Sequence, residues 1–137
     1  IKDVVFSWSR MLNFDGETGP YVQYTNARAC SVLKKAGDVD LSQAEYSAVS
    51  DESSFEVCRE LNNFPAKVID AAEKYEPSII SRYLVDLSQA FNKFYHDNPI
   101  IVEDKKVMAA RLLIVKAVNN VLVKGLSLLG ISAPEQM

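Results

Sequence analysis

Histidine and cysteine are scarce in this chain of 137 residues, and their scarcity excludes whole classes of active site. His96 is the only histidine, which excludes a histidine-rich metal site and makes any Ser-His-Asp arrangement depend on this one residue. Its place near a helix end indicates a solvated or capping residue. The two cysteines, Cys30 and Cys58, lie too far apart for metal-ligand spacing, and we expect reduced thiols. With no glycine-rich phosphate loop either, we predict no catalytic residue and no metal site.

Long apolar runs are missing as well. The most hydrophobic stretch, residues 102–129, is interrupted by Arg111, Lys116 and Lys124. No window of about 18 residues is therefore apolar enough to span a membrane. A helix that is apolar nearly all round is instead typical of the centre of a helical bundle. We expect no membrane partner and a long central helix at this end of the chain.

An excess of positive charge is also lacking, since 15 Lys and Arg stand against 18 Asp and Glu for a net charge of −3. This balance argues mildly against a nucleic-acid partner, because Lys and Arg supply most of the affinity for phosphate. The charges are unevenly placed, however. Acids bunch between residues 38 and 60, whereas Arg28, Lys34 and Lys35 lie in a stretch, residues 18–37, that has no acid. A local positive field is compatible with the net charge.

Composition and apolar periodicity predict one all-α domain. A hydrophobic share of 48% with 24% charged residues is ordinary for a soluble globule. Apolar residues recur at helical spacing, and Pro65, Pro77 and Pro99 divide them into segments. The acidic segment 38–54 is typical of a surface connection with at most a short helix. We predict a helical bundle of about five to six helices, over residues 1–13, 18–37, 54–64, 65–75, 77–97 and 102–129.

Finer features can be predicted for two of these helices. Ser53 or Ser54 is placed to cap the third helix, and we expect Phe55, Val57, Cys58 and Leu61 on its inward face. The last helix should stop at Gly130 in a left-handed glycine cap. The first expectation defines the side of the third helix that meets the core, and the second defines where the last helix ends.

The helix after Glu17 has two different faces. Thr18 or Gly19 can cap it, with Pro20 in the first turn, because proline lacks an amide hydrogen and its φ is already helical. At about 100° per residue, one face is apolar and the other is aromatic, hydroxylic and cationic. The apolar face consists of Val22, Ala29, Leu33 and Ala36, and the polar face of Tyr21, Tyr24, Arg28, Ser31 and Lys35.

Two interpretations of the polar face are open. Aromatic and cationic side chains are the chemistry that stacks on nucleobases and pairs with phosphate. Helix tyrosines at the edge of an apolar stripe are also common as half-buried core residues. Periodicity alone favours the second interpretation.

Three groups of residues carry a resemblance to a known family. The first runs through Val5, Trp8, Met11, Leu12 and Phe14 into Gly16-x-Thr18-Gly19-Pro20-Tyr21-Val22-Gln23-Tyr24 and ends at Ala27-Arg28. The second comprises Glu76-Pro77, Tyr83-Leu84, Leu87, Phe91 and Phe94-Tyr95, and the third runs from Ala110-Arg111-Leu112 to Ala133-Pro134-Glu135-x-Met137. Together they resemble the C-terminal DALR-type anticodon-binding domain of arginyl-tRNA synthetases and its junction with the catalytic domain.

The sequence departs from the family pattern at several positions. Ser78 and Ser88 stand where the family commonly has His and Ala. The four-letter signature Asp-Ala-Leu-Arg is Met108-Ala109-Ala110-Arg111 here, so its arginine is retained. On a buried helix, we expect Arg111 to pair with an acid inside the bundle rather than with RNA.

The resemblance implies where an RNA would be recognised. In the family, anticodon-loop bases are held against the first long helix, the end of the helix with the Phe-Tyr pair, and the C-terminal residues. Asn26 and Lys34 are second-tier candidates, for which ordinary solvated helix positions are the simpler expectation. Carried over residue by residue, the resemblance nominates Tyr21, Tyr24 and Arg28 in one outward patch, together with Tyr95 and Met137.

The resemblance also implies what surrounds the domain. Residues 1–14 correspond to the tail of the catalytic-domain junction and 15–137 to the anticodon-binding domain, so we expect several hundred residues of catalytic domain to precede this piece. The full-length class I enzyme attaches arginine to tRNA using ATP, with magnesium, in protein biosynthesis. This chain lacks the motifs His-x-Gly-His and Lys-Met-Ser-Lys-Ser, so alone it should be inactive and need no cofactor. The expected partners are arginine tRNA and the missing catalytic domain, in a cytoplasmic monomer.

A structural all-α protein-interaction module is the competing interpretation. In that case the polar face from Tyr21 to Lys35 would contact a protein or only solvent. The two interpretations differ in their salt dependence, because RNA binding weakens steeply with salt and a hydrophobic interface hardly does.

Overall fold

All regular structure in the described part of the chain is helical. The computed structural model describes residues 7–12 and 16–137. The all-α prediction is confirmed, but the bundle has four long helices instead of five to six. The α-helices are α1 (Trp8–Met11), α2 (Gly19–Ala36), α3 (Glu52–Lys74), α4 (Ser78–Asp97) and α5 (Lys105–Leu128), and two 3-10 turns, Leu41–Gln43 and Tyr46–Val49, lie between α2 and α3.

The last helix is the centre of the bundle, as its apolar sequence predicted. α5 packs against α2, α3, α4 and both 3-10 turns. Its side chains share one core with those of the three other long helices. Among the described helices, none is long and apolar enough to cross a membrane. The core includes Val22, Ala29 and Val32 of α2, Val57 and Ala71 of α3, Leu84, Leu87, Phe91 and Phe94 of α4, and Met108, Val115, Val118, Leu122 and Leu126 of α5.

The first long helix begins and faces the core largely as predicted. Thr18 is the N-cap of α2, and its side-chain oxygen accepts a hydrogen bond from the amide of Tyr21 at 3.2 Å. Pro20 lies in the first turn. The predicted helix over residues 1–13 is represented by the short α1, where Trp8 is 69% exposed. Residues 1–6 and 13 of that prediction fall outside the described residues, as does Phe14 of the family motif.

The predicted break at Pro65 is wrong, because α3 runs through this proline as one helix of 23 residues. A proline inside a helix removes one backbone hydrogen bond. Pro65 is exposed, and on the solvent side of a helix that curves around a core the backbone hydrogen bonds are already slightly lengthened. Next to it, the Phe64 ring stacks on Tyr83 of α4 with 5.6 Å between centroids. The Tyr83 hydroxyl donates to the Glu60 carbonyl at 2.8 Å. These contacts with α4 hold α3 together across the proline.

The N-terminus of α3 also differs from the prediction. Asp51, not a serine, is the N-cap, and its carboxylate accepts from the amide of Ser54 at 3.0 Å and the hydroxyl of Ser53 at 2.6 Å. Both serines are buried, and they define the inward face. Phe55 is 68% exposed and Cys58 is exposed as well, so both were wrongly expected to face the core. Val57 is buried and Leu61 packs against the core, as predicted. A helix buries positions three and four apart, and a strict three-residue spacing drifts off that face.

The acidic connection is a surface segment, as predicted, and it is attached to α5. Its two 3-10 turns are capped by the carboxylates of Asp40 and Glu45. The amide of Glu45 donates to the carbonyl of Lys106 at 3.1 Å. Leu41 and Val49 pack against the core. The segment therefore covers one side of the central helix.

The end of α5 is the predicted glycine cap. Gly130 has a φ of 71°, which favours glycine, and its amide donates to the Ser127 carbonyl at 3.1 Å. The Ile131 amide donates to the Leu126 carbonyl at 2.9 Å, which completes the two-bond arrangement of a Schellman cap. The cap ends the helix sharply, and the residues that follow return to α2.

Gly125 permits a close approach of α5 to α4. A Cβ atom at this position would lie 2.5 Å from Cδ2 of Leu84, a side chain that is 1% exposed. Gly125→Ala gains about 0.5–1 kcal/mol of helix preference but overpacks the core, which costs about 1–3 kcal/mol. We expect a net loss of about 1 kcal/mol in the free energy of unfolding, measured by urea denaturation. Gly19→Ala, where a Cβ meets open space, is the control and should cause no loss.

Asp51 should make the stability of the domain sensitive to acid. Burial alone raises the pKa of its carboxyl, but hydrogen bonds from Ser53, Ser54 and Asn98 outweigh burial and hold the pKa below its ordinary value. The folded state thus binds this proton less readily than the unfolded state, whose pKa is about 3.9. The contribution of Asp51 is therefore complete above that value and is lost as the pH falls through the folded pKa.

Asp51→Asn should accordingly lower stability at neutral pH by about 1 kcal/mol and flatten the decline of stability in acid. Thermal unfolding between about pH 2 and pH 7 measures both effects. The same exchange at Asp86, an exposed residue of α4, should change stability by less than about 0.5 kcal/mol. An unchanged acid profile in Asp51→Asn would contradict the assigned cap.

Candidate functional site

A cleft of about 810 Å³ lies where α2, the end of α4, the segment 99–101 and the last three residues meet. Tyr24 and Arg28 line its α2 wall, Tyr95 comes from α4, and Met137 comes from the end of the chain. Ser31 and Lys35, which complete the polar face predicted for α2, also line the cleft. The fold therefore brings four of the five principal predicted residues to one place.

The centre of the cleft wall is an arginine between two aromatic rings. The guanidinium carbon of Arg28 lies 5.1 Å from the centroid of the Tyr24 ring and 5.4 Å from the centroid of the Tyr95 ring. Both distances are within the range of a cation–π interaction. Tyr24 is 41% exposed and Tyr95 is 38% exposed, so each ring remains accessible to solvent. The three side chains form a group that we call the Tyr-Arg-Tyr clamp.

Tyr21 lies behind the clamp instead of in the cleft. It is half-buried and packs against the hydrophobic core. Its hydroxyl accepts a hydrogen bond from the side-chain amide of Asn92 at 2.9 Å, and the oxygen of the same amide accepts from Arg28 at 2.6 Å. The expectation of one outward patch therefore holds for Tyr24 and Arg28, and Tyr21 supports them from the interior side because its ring is needed in the core.

Asn26 is fully buried, which corrects the expectation of a solvated position. Its side-chain amide donates to the carbonyl of Pro134 at 3.0 Å, and its oxygen accepts from the amide of Asn119 at 2.8 Å. Asn119 also donates to the sulfur of Cys30 at 3.2 Å. Buried amides need such partners, because an unpaired polar group in the interior is costly. Asn26 therefore fastens the end of the chain to α2.

Two further contacts hold the end of the chain along α2. The Gln23 side chain donates to the Ser132 carbonyl at 2.8 Å, and the Lys34 ammonium lies 3.0 Å from a carboxylate oxygen of Glu135. Lys34 is thus exposed, as expected, but it is ion-paired. These contacts hold residues 132–135 along α2. They thereby place Met137, which is 57% exposed, in the cleft. The lining carries the cations of Arg28 and Lys35, and Glu135 is its one carboxylate side chain among the described residues.

Arg111 has a different partner from the one predicted. One of its terminal nitrogens donates to the carbonyl of Pro99 at 2.5 Å, and its Nε is buried without a partner. Among the described residues, no acid forms an ion pair with it. The side chain of Asn98 donates to Ser53 Oγ at 3.0 Å and to Asp51 at 3.3 Å. Arg111 and Asn98 therefore fix the segment after α4, which contributes Pro99 to the cleft.

The site predicted from the sequence does not include Asn92, Gln23 or Asn119. Asn92 precedes Tyr95 by three residues, so the two share a face of α4, and this spacing was a usable signal. Nothing in the sequence, however, indicates that Asn92 meets Arg28, which is 64 residues away. His96 is exposed in the last turn of α4, and both cysteines are free thiols.

Comparison with known proteins identifies the family of this fold. Residues 22–137 match the family model described as DALR anticodon binding domain. The chain is 56% identical over 137 residues to an arginine–tRNA ligase of Halothermothrix orenii and 53% identical to one of Clostridioides difficile, covering 100% of this chain and 24% of each relative. It thus spans about a quarter of the length of these relatives.

A solved structure agrees with the sequence comparison. The Thermus thermophilus arginyl-tRNA synthetase superposes with a TM-score of 0.84 at 35% sequence identity, over 92% of this chain and 22% of that one. The family match begins at Val22, within α2, and runs to the end of the chain, so it includes every residue that lines the cleft. This chain belongs to the DALR anticodon binding domain family, as found in arginyl-tRNA synthetases.

Proposed function

We propose that this domain binds the anticodon loop of arginine tRNA, and that the cleft around the Tyr-Arg-Tyr clamp is the contact surface. The observation that carries the proposal is the guanidinium of Arg28, held between two solvent-accessible tyrosine rings. The family assignment supports the general role, and the geometry of the cleft supports the choice of this surface. Tyr24, Arg28, Tyr95 and Met137 are the proposed contacts, and Tyr21 acts behind them.

The chemistry of the clamp suits unstacked bases. Loop nucleotides can be splayed out and stacked on aromatic rings or on a guanidinium plane, and each base stacked on a ring contributes about 1–3 kcal/mol. Tyr24 and Tyr95 offer such rings at the rim of a cleft that is large enough for a small molecule. Met137 adds a polarizable thioether that can pack against a ring edge.

Arg28 suits either phosphate or a base edge. Its planar guanidinium presents several donors and can bind two acceptors at once. Two tyrosine rings and the Asn92 oxygen fix its position, so little side-chain entropy remains to be lost on binding. Lys35 in the same cleft adds positive charge, and α2 has no carboxylate that would offset it. The acidic net charge therefore does not argue against an RNA partner at this surface.

The proposal extends to the whole enzyme. We infer that this domain belongs to an arginine–tRNA ligase that uses ATP to attach arginine to tRNA, with the chemistry performed by a catalytic domain outside this chain. The domain itself would supply binding, selecting the tRNA and helping to position its distant acceptor end. We further propose that the enzyme is a cytoplasmic monomer.

Binding of RNA to this chain tests the proposal. An arginine-tRNA anticodon stem-loop should bind more tightly than an unrelated stem-loop, and the affinity should fall steeply as salt is raised. Tyr24→Ala and Arg28→Ala should each raise Kd by about 5- to 150-fold, the equivalent of about 1–3 kcal/mol. Fluorescence anisotropy with labelled RNA measures all of these values.

Matched controls lie elsewhere on the surface. Tyr46 is 71% exposed in a 3-10 turn and Arg59 is exposed on α3, so Tyr46→Ala and Arg59→Ala should leave Kd unchanged. Equal weak binding of both stem-loops, or equal effects of site and control variants, would refute anticodon recognition. Binding of a protein partner that is insensitive to salt would favour the structural module instead.

A further inference from the structure

A single asparagine on α4, Asn92, forms hydrogen bonds with three side chains of α2. The side-chain oxygen of Asn92 accepts from a terminal nitrogen of Arg28 at 2.6 Å. Its nitrogen donates to the Tyr21 hydroxyl at 2.9 Å and to the Thr25 hydroxyl at 3.3 Å. No other described side chain forms hydrogen bonds with both Tyr21 and Arg28.

We propose that Asn92 is a positioning residue that sets the orientation of the Arg28 guanidinium between the two tyrosine rings. This inference rests on the proposed function for its effect on RNA binding. Its structural part, the fixing of Arg28, can be tested without RNA.

The hydrogen-bond chemistry determines which way the Asn92 amide points. Arginine has donors and no acceptor, so the group facing Arg28 must be the amide oxygen. The Thr25 hydroxyl donates its proton to the Tyr21 carbonyl at 2.9 Å, so toward Asn92 it acts as an acceptor. Both sides demand the same orientation. Position 92 therefore requires an acceptor for Arg28 and a donor for Thr25 on one side chain. An asparagine provides both, whereas a carboxylate lacks the donor and an alkyl side chain lacks both.

The position of Asn92 explains how the clamp keeps its geometry. The rings belong to different helices, Tyr24 to α2 and Tyr95 to α4, and Arg28 lies on α2. Cation–π attraction holds a cation near a ring but defines its orientation weakly. A charge-assisted hydrogen bond is directional. Because Asn92 lies one turn before Tyr95, its oxygen ties the guanidinium to the same helix that carries the second ring.

Asn92→Leu removes both hydrogen-bonding groups at similar size. In RNA binding, we expect Kd for the arginine-tRNA anticodon stem-loop to rise about five- to tenfold. In an Arg28→Ala background the same substitution should add less than about twofold, because its effect passes through Arg28. Asn62→Leu, at an exposed position on α3, is the matched control and should leave Kd unchanged.

An RNA-free measurement accompanies the binding assay. In the unmodified chain, the side-chain NMR signals of Arg28 should be displaced by the ring currents of Tyr24 and Tyr95. Asn92→Leu should move these signals toward those of the exposed Arg59. Asn92→Asp keeps an oxygen for Arg28 and should retain the displacement.

The possible results separate the two proposals. Absence of specific RNA binding together with loss of the ring-current displacement in Asn92→Leu would refute the proposed function and support the positioning role. The positioning role would be refuted if binding depended on Arg28 but Asn92→Leu changed neither Kd nor the NMR signals of Arg28. Equal weakening by Asn92→Leu with and without Arg28 would also refute it, because the asparagine would then act only on general stability.

Discussion

The burial of α5 is the constraint on which the rest of this structure depends. A helix that is apolar on nearly every side has to be enclosed, and α2, α3, α4 and the two 3-10 turns enclose it. Its close approach to α4 at Gly125 and its sharp end at Gly130 then determine where the last residues of the chain go. Packing of the core therefore determines the positions of the segments that form the cleft.

The candidate site is assembled by polar groups that the core would otherwise leave unpaired. Asn26 is completely buried, so its amide must find partners, and these partners are the end of the chain and α5. Half-buried Asn92 likewise bonds Arg28 and Tyr21. Satisfying buried amides thus does two things at once, since it removes an energetic penalty and places Met137 and the guanidinium in the same cleft.

Predictions from the sequence failed where packing overruled a local preference and where the wrong spacing was used for a helix face. Pro65 predicted a helix break, yet contacts of α3 with Tyr83 continue the helix through it. Phe55 was assigned to the core from a three-residue spacing that the real helix face does not follow. Arg111 was expected to need an acid, and it is held by the carbonyl of Pro99 instead. For Pro65 and Arg111 the deciding partners, Tyr83 and Pro99, lie outside the local segment.

Sequence alone determined the helical class, the central position of the last helix, the cap of α2 and the split between its two faces. These features follow from periodicity and from the backbone limits of proline and glycine, which act within a few residues. Only the tertiary structure decided that Tyr21 lies behind the clamp, that Asn26 is buried, and that Asn92 reaches Arg28. Those outcomes depend on how separate helices are juxtaposed, and contacts such as that between Gln23 and Ser132 join residues 109 positions apart.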